Sequence, residues 1–78
     1  MHILLIEDDL DLGQALLSAL QLEAFSVQWL RRAGDAPPKL DDPACSAVLL
    51  DLGLPDGSGL ALLQRWRAAQ SRTPILLI

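Results

Sequence analysis

Two short apolar runs, each closed by carboxylates, constrain this chain more than any other feature. Ile3-Leu4-Leu5-Ile6 runs directly into Glu7-Asp8-Asp9, and Ala47-Val48-Leu49-Leu50 runs into Asp51. Neither run alternates apolar with polar residues. Each therefore reads as a strand buried on both faces, the habit of parallel sheets flanked by helices. Parallel neighbours bring their carboxyl ends to one sheet edge, so the acids closing these runs are expected to converge there. Several carboxylates in one pocket repel one another and call for a divalent cation. The pattern points to magnesium-assisted phosphoryl chemistry.

Bulk properties narrow the alternatives. A chain of 78 residues allows one small domain, and a domain of that size buries only about 60% of the surface its unfolded form exposes. With 51% hydrophobic residues, disorder is excluded as a general state. The net charge of −4 argues against a nucleic-acid surface within these residues. The cationic residues are scattered, and Arg31-Arg32 reads as a solvated strand end. The single cysteine, Cys45, excludes an intrachain disulfide and suits a reducing cytosol. With no histidine near it in sequence, Cys45 reads as a small buried or half-buried hydrophobe. The only histidine, His2, has no evident partner and is given no role. The N-terminal apolar run is too short for a signal peptide, and no stretch approaches the roughly 20 apolar residues of a membrane span. A cytoplasmic, membrane-free location is expected.

Along the chain, strands and helices alternate. After the strand Ile3 to Ile6, Asp9 is placed to cap a helix from Leu10 to Leu22. Leu12, Leu16 and Leu20, with Leu17 beside them, form its expected core-facing stripe. Gly13 in that helix suggests a close helix–sheet approach; the plainer reading is a glycine tolerated there at a cost of about 1 kcal/mol. Phe25 to Leu30 reads as an edge strand with Val27 and Trp29 on the packed face and Ser26 and Gln28 on the wet one; Trp29 is assigned to packing rather than to ligand binding. Residues 33 to 46 are the least regular. A short or distorted helix capped by Asp35 is expected, with Pro37 and Pro38 in its first turn. Ala47 to Leu52 is the third strand, Pro55 and the neighbouring glycines make a loop, and a helix runs from Ser58 to Ala69 with Leu62, Leu63 and Trp66 in the core. Ile75 to Ile78 begins a fourth buried strand. The order β-α-β-α-β-α-β gives an α/β fold, a doubly wound parallel sheet whose site lies at the carboxyl ends of its strands.

A carboxylate that accepts a phosphoryl group must be ionised and exposed, with a divalent metal and donors for the phosphate oxygens beside it. Asp51 supplies the nucleophile. Glu7 and Asp8 supply hard oxygen ligands suited to magnesium, the Gly53 carbonyl is a further candidate ligand, and backbone N–H groups of the Leu52-Gly53 turn are candidate phosphate donors. The plainer account, that acids after a strand only cap the next helix, explains Asp9 well. It explains Glu7-Asp8-Asp9 together poorly, and it does not explain Asp51. A calcium loop beginning at Asp9, Asp11 and Gly13 is set aside, because the glycine is misplaced and the bidentate acid is lacking.

Taken together, Ile3-Leu4-Leu5-Ile6-Glu7-Asp8-Asp9 and Leu49-Leu50-Asp51-Leu52-Gly53-Leu54-Pro55-Asp56-Gly57-Ser58-Gly59 resemble the CheY-like receiver domain of bacterial two-component response regulators. The likeness runs the whole length of the chain. It is nearest to the OmpR/PhoB winged-helix subfamily, on the side of its polymyxin-resistance and quorum-linked regulators. The resemblance implies a flavodoxin-like sheet of order 2-1-3-4. It implies phosphate transfer from a sensor histidine kinase to Asp51, with Mg2+ held by Glu7, Asp8, Asp51 and the Gly53 carbonyl. Pro55 and Gly59 match the family's loop-shaping residues.

The family pattern also has a fifth strand, two more helices, a hydroxyl residue after the fourth strand and a lysine after the fifth. Residues 1–78 are therefore expected to be the N-terminal two-thirds of a receiver, with the DNA-binding domain absent and switching lost. An apolar edge at Ile75-Leu76-Leu77-Ile78 is expected to self-associate. Two other classes compete. A magnesium-dependent aspartyl phosphatase would carry a second Asp two residues after its nucleophile, and Gly53 stands there instead, which argues against turnover. An interaction fragment with a vestigial metal pocket would bind metal without accepting phosphate.

Overall fold

In the computed structural model of the chain, which describes residues 1–54 and 59–78, four parallel strands form one sheet. In chain order the elements are β1 (His2–Ile6), α1 (Leu10–Leu22), β2 (Ser26–Leu30), a 3-10 turn (Ala33–Asp35), β3 (Cys45–Leu50), α2 (Gly59–Ala68) and β4 (Ile75–Leu77). Their spatial order is β2-β1-β3-β4, the order that the family resemblance implies. The chain winds to one side of β1 and then crosses to the other, so the switch point falls between β1 and β3. The expected loop residue Pro55 and the expected helix start at Ser58 lie outside the described residues.

β1 and β3 are the central strands, and their lack of alternation has its cause in cover on both faces, complete for β1 from Ile3 on and partial for β3, where Ala47 and Leu49 are half-buried. On one face Leu4, Ile6, Val48 and Leu50 pack with Leu54, Leu62 and Trp66, and with Ala33 and Leu40 from the irregular segment. On the other, Ile3 and Leu5 are buried, and the register puts Trp29 beside Leu5 and Val27 beside Ile3. The edge strand β2 alternates as expected, with Ser26 and Gln28 exposed. β3 starts at Cys45 rather than Ala47 and ends at Leu50 rather than Leu52, because a register shift between His2 and Ile3 passes over Ser46 and lets Cys45 pair with His2, while Leu52 already lies in a turn.

α1 matches its expected bounds, but its buried stripe is rotated. Leu12 is 47% exposed, while Gly13 is buried and Leu16, Leu17 and Leu20 are half-buried. The face toward the sheet thus runs through 13, 16, 17 and 20, the i, i+3, i+4, i+7 positions of a helix. Gly13 sits there because Trp29 does: a methyl group on Gly13 would overlap the indole ring. Both helices end on a residue in the left-handed region. Ala24 (φ 66°) and Gln70 (φ 64°) stand where glycine is usual. The Phe25 N–H reaches back to the Leu20 carbonyl at 3.1 Å, and the Ser71 N–H to that of Trp66 at 3.0 Å.

The short, distorted helix expected between β2 and β3 is a single 3-10 turn over residues 33–35, with no side-chain cap, and Asp35 closes it rather than opening it. Pro37 and Pro38 fall beyond the turn, where they lack N–H groups and force the preceding backbone to extend; Ala36 has φ −77° and ψ 150°. Tertiary bonds hold the segment instead. The Trp66 indole donates to the Pro37 carbonyl at 2.8 Å, and the buried Ser71 hydroxyl accepts the Leu40 N–H at 2.9 Å. A groove of about 350 Å³, lined in part by His2, Leu4, Gln28 and Cys45, lies beside this segment. His2, expected to be unpartnered, has its Nδ1 2.8 Å from the Ser26 hydroxyl.

Candidate functional site

The carboxyl ends of β1 and β3 carry the acids, and the sheet ladder fixes where each begins. The Asp51 N–H donates to the Ile6 carbonyl at 3.0 Å, so Asp51 is the first residue past β3 and is still locked to β1. Glu7, the first residue past β1, donates its own N–H to the Leu30 carbonyl of β2 at 3.0 Å. Asp9 turns its side chain away to cap α1, accepting the Leu12 N–H at 3.0 Å. Its expected role as a cap is met, and Glu7 and Asp8 are left to face Asp51.

One carboxylate oxygen each from Glu7, Asp8 and Asp51 lies within 4.8 Å of the others. Such a set, all hard oxygen, compact and open at the half-buried Asp8 and Asp51, fits a small divalent cation that keeps part of its water shell. Glu7 is the enclosed member, with 2% exposure. Its carboxyl titrates above the ordinary 4.5. Burial is the main cause, the charges of Asp51 and Asp8 and a hydrogen bond with the Asp51 carboxyl add to it, and the Asp9 N–H bond to Glu7 Oε1 at 3.1 Å opposes it.

Asp51 is oriented by its own turn. Its Oδ1 accepts the Gly53 N–H at 2.9 Å. Gly53 thus stands beside the acids, with its N–H committed to Asp51. A methyl group on it would meet only Asp51 Oδ1, at an ordinary 3.5 Å. Gly59 is different. A methyl group there would overlap the Asp51 carbonyl oxygen and stand 2.9 Å from the Leu52 Cα. The first residue of α2 must therefore be glycine for the helix to start against the backbone of the Asp51 turn.

Sequence reasoning assigned Trp29 to packing, which it does, but missed a polar duty. Its indole N–H donates to the Glu7 carbonyl at 2.9 Å. The available signal was a tryptophan one residue from the end of an edge strand, on the face turned to α1. Arg31 lies nearby, with a guanidinium nitrogen 3.4 Å from the Asp8 carbonyl. Among the described residues no helix is long and apolar enough to cross a membrane.

Comparison with known proteins agrees with this geometry. Residues 3–78 match the family model described as response regulator receiver domain. The chain is 50% identical over 78 residues to the swarming motility regulation protein RssB of Serratia marcescens, covering all of this chain and 36% of that protein. It is 41% identical over its whole length to the transcriptional regulatory protein PmrA of Pectobacterium parmentieri, covering 35% of it. Among solved structures, the non-phosphorylated HemR receiver domain from Leptospira biflexa superposes with a TM-score of 0.83 at 33% identity, over 97% of this chain and 61% of that one. The chain spans about a third of the length of these curated relatives. The acids at the switch point, the 2-1-3-4 sheet and the match over residues 3–78 place the chain in the response regulator receiver domain family.

Proposed function

We propose that the chain is the phosphoacceptor module of a two-component transcriptional regulator, taking a phosphoryl group from a sensor histidine kinase onto Asp51 with Mg2+ held by Glu7, Asp8, Asp51 and the Gly53 carbonyl. The convergence of three carboxylates within 4.8 Å at the switch point carries this reading. Asp51 has the strongest claim to the nucleophile. It is half-buried, whereas Glu7 is enclosed, and the Gly53 N–H holds its Oδ1. The other oxygen attacks phosphorus, the P–N bond to the donor imidazole breaks, and the imidazole nitrogen keeps the electron pair. Magnesium, when bound, offsets the charge of the acids and of the incoming phosphoryl group.

The reading is of an acceptor rather than a turnover phosphatase, since Gly53 offers no acid/base group two residues after Asp51. Contact with DNA is assigned to a C-terminal domain of the kind that such regulators carry, and the location to the cytoplasm. Pro55 keeps its proposed loop-shaping role, and Gly59 gains steric support for its own.

Intact mass after incubation with magnesium and a small phosphodonor tests the proposal. One added phosphoryl group, lost in Asp51→Asn and in magnesium-free buffer, is the expected result. A folded chain that gains no mass would favour the second reading, a metal-binding interaction fragment. The exposed Leu76, Leu77 and Ile78 are the observation behind that alternative.

A further inference from the structure

The paired register of β1 and β2 ends at Ile6 and Leu30. Glu7, one residue further on, is nevertheless tied to β2 at both of its backbone polar groups. Its N–H donates to the Leu30 carbonyl at 3.0 Å, and its carbonyl accepts the Trp29 indole N–H at 2.9 Å. A side chain thus supplies a donor where the strand pairing has run out. The ring making this bond is itself fixed. It is half-buried and rests on α1 at Gly13, the one position in that helix where it finds no side chain in its way. The Gly13 N–H in turn bonds the Asp9 carbonyl at 2.8 Å, and Asp9 caps the same helix. One residue of the edge strand therefore touches both the start of the acidic turn and the helix that closes it.

We infer that Trp29 is a positioning residue for the acidic centre: its N–H sets the orientation of the Glu7 peptide and thereby aims the Glu7 and Asp8 carboxylates at Asp51. The geometry stands on these two contacts, and the consequence for metal rests on the function proposed above. A ring that served only to fill space would do as well without its nitrogen.

Two variants separate the parts. Trp29→Phe keeps an aromatic ring over Gly13 and deletes the donor. Gly13→Ala keeps the donor and displaces the ring. The first readout is amide hydrogen exchange in EDTA. Trp29→Phe should raise exchange at Glu7, Asp8 and Asp9 by about fivefold, the scale of one neutral hydrogen bond, with Val48, Leu49 and Leu50 unchanged. The second is the magnesium concentration that half-saturates the amide shifts of Asp8 and Asp51, which should rise by a similar factor. Gly13→Ala should produce both changes and carries the test if Trp29→Phe does not fold. Exchange and half-saturation equal to wild type in a folded Trp29→Phe would overturn the inference. If the wild-type chain shows no magnesium-dependent shifts, the metal reading fails by itself, and the exchange measurement still decides the role of Trp29.

Discussion

Replacing Glu7 with glutamine removes a buried charge while leaving its bonds in place. Glu7 Oε1 accepts the Asp9 N–H, and the carboxyl also hydrogen-bonds Asp51. A glutamine supplies the same acceptor, and its amide donates to Asp51 as a protonated Glu7 does. What disappears is the charge, with the cost of burying it and its repulsion by Asp51 and Asp8. Two unit charges at the 4.8 Å limit of the cluster interact by about 3 kcal/mol at an effective dielectric near 20. Asp8 and Asp51 are half open to water, so a net figure of about 1–2 kcal/mol is appropriate. In a domain of this size that is a rise in Tm of roughly 4–16 °C at pH 7 in EDTA. The pH dependence has a definite sign. The Glu7 carboxyl is raised in the folded state, so the repulsion is absent below pH 4.5 and grows as pH rises through the raised value. Wild type and Glu7→Gln should therefore melt together near pH 4.5 and diverge above it, with the variant the more stable. Saturating magnesium should reverse the order, because a ligand at a hundredfold excess over its Kd adds about 2.7 kcal/mol to the state that binds it, and the variant has lost a ligand. Thermal melts at several pH values, with EDTA and with magnesium, read all of this. A Glu7→Gln variant that melts below wild type in EDTA at pH 7 would refute the reasoning, since the acids could not then be in net repulsion.

Gly59→Ala should cost about 1–3 kcal/mol, the usual range for overpacking, because its methyl group meets backbone rather than a yielding side chain; a urea midpoint equal to wild type would show that α2 starts elsewhere. Ala24→Gly should gain about 0.5–1 kcal/mol by relieving the left-handed backbone at φ 66°, and a lower Tm would contradict that conformation. The isolated 78-residue chain should self-associate through β4, where Leu76 is 61% exposed, and Leu76→Lys should return it to monomer with unchanged circular dichroism. A monodisperse wild-type monomer by light scattering at micromolar concentration is the contrary result.

The central strands and their acids were legible because their signal is local. An apolar run without alternation needs both faces covered, and a carboxylate at its end needs a reason. The start of α1 was legible for the same reason, since Asp9 and Leu12 are three residues apart. The failures share a different cause. Hydrophobic spacing marks a stripe but not its rotation, and Gly13, with no side chain to score, is the residue that fixes the buried face of α1. The helix stops carry Ala24 and Gln70 in place of the glycine that would have announced them. The segment from 33 to 44 is shaped by Trp66 and Ser71, bonded to it from 29 and 31 residues away; a local reading sees only prolines that spoil a helix.

The acidic centre shows why the missed contact matters more than its size suggests. Carboxylates that repel will part unless something stronger than their mutual charge holds them, and side chains of this length swing easily about a free backbone. Here the backbone is not free. Asp51 is held by Ile6 of β1, Glu7 by Leu30 and Trp29 of β2, and Asp51 Oδ1 by Gly53. Each bond is ordinary, about 1 kcal/mol net, but together they anchor the two acid-bearing turns to three adjacent strands, so that separating the charges would require breaking the ends of the sheet. The repulsion then stays in the folded protein as a destabilising contribution that only a cation or a proton can remove. On the function proposed above, that is the condition for holding a divalent metal through so few protein ligands, and it would tie the affinity of the centre to the integrity of β2, the strand that contributes none of the acids.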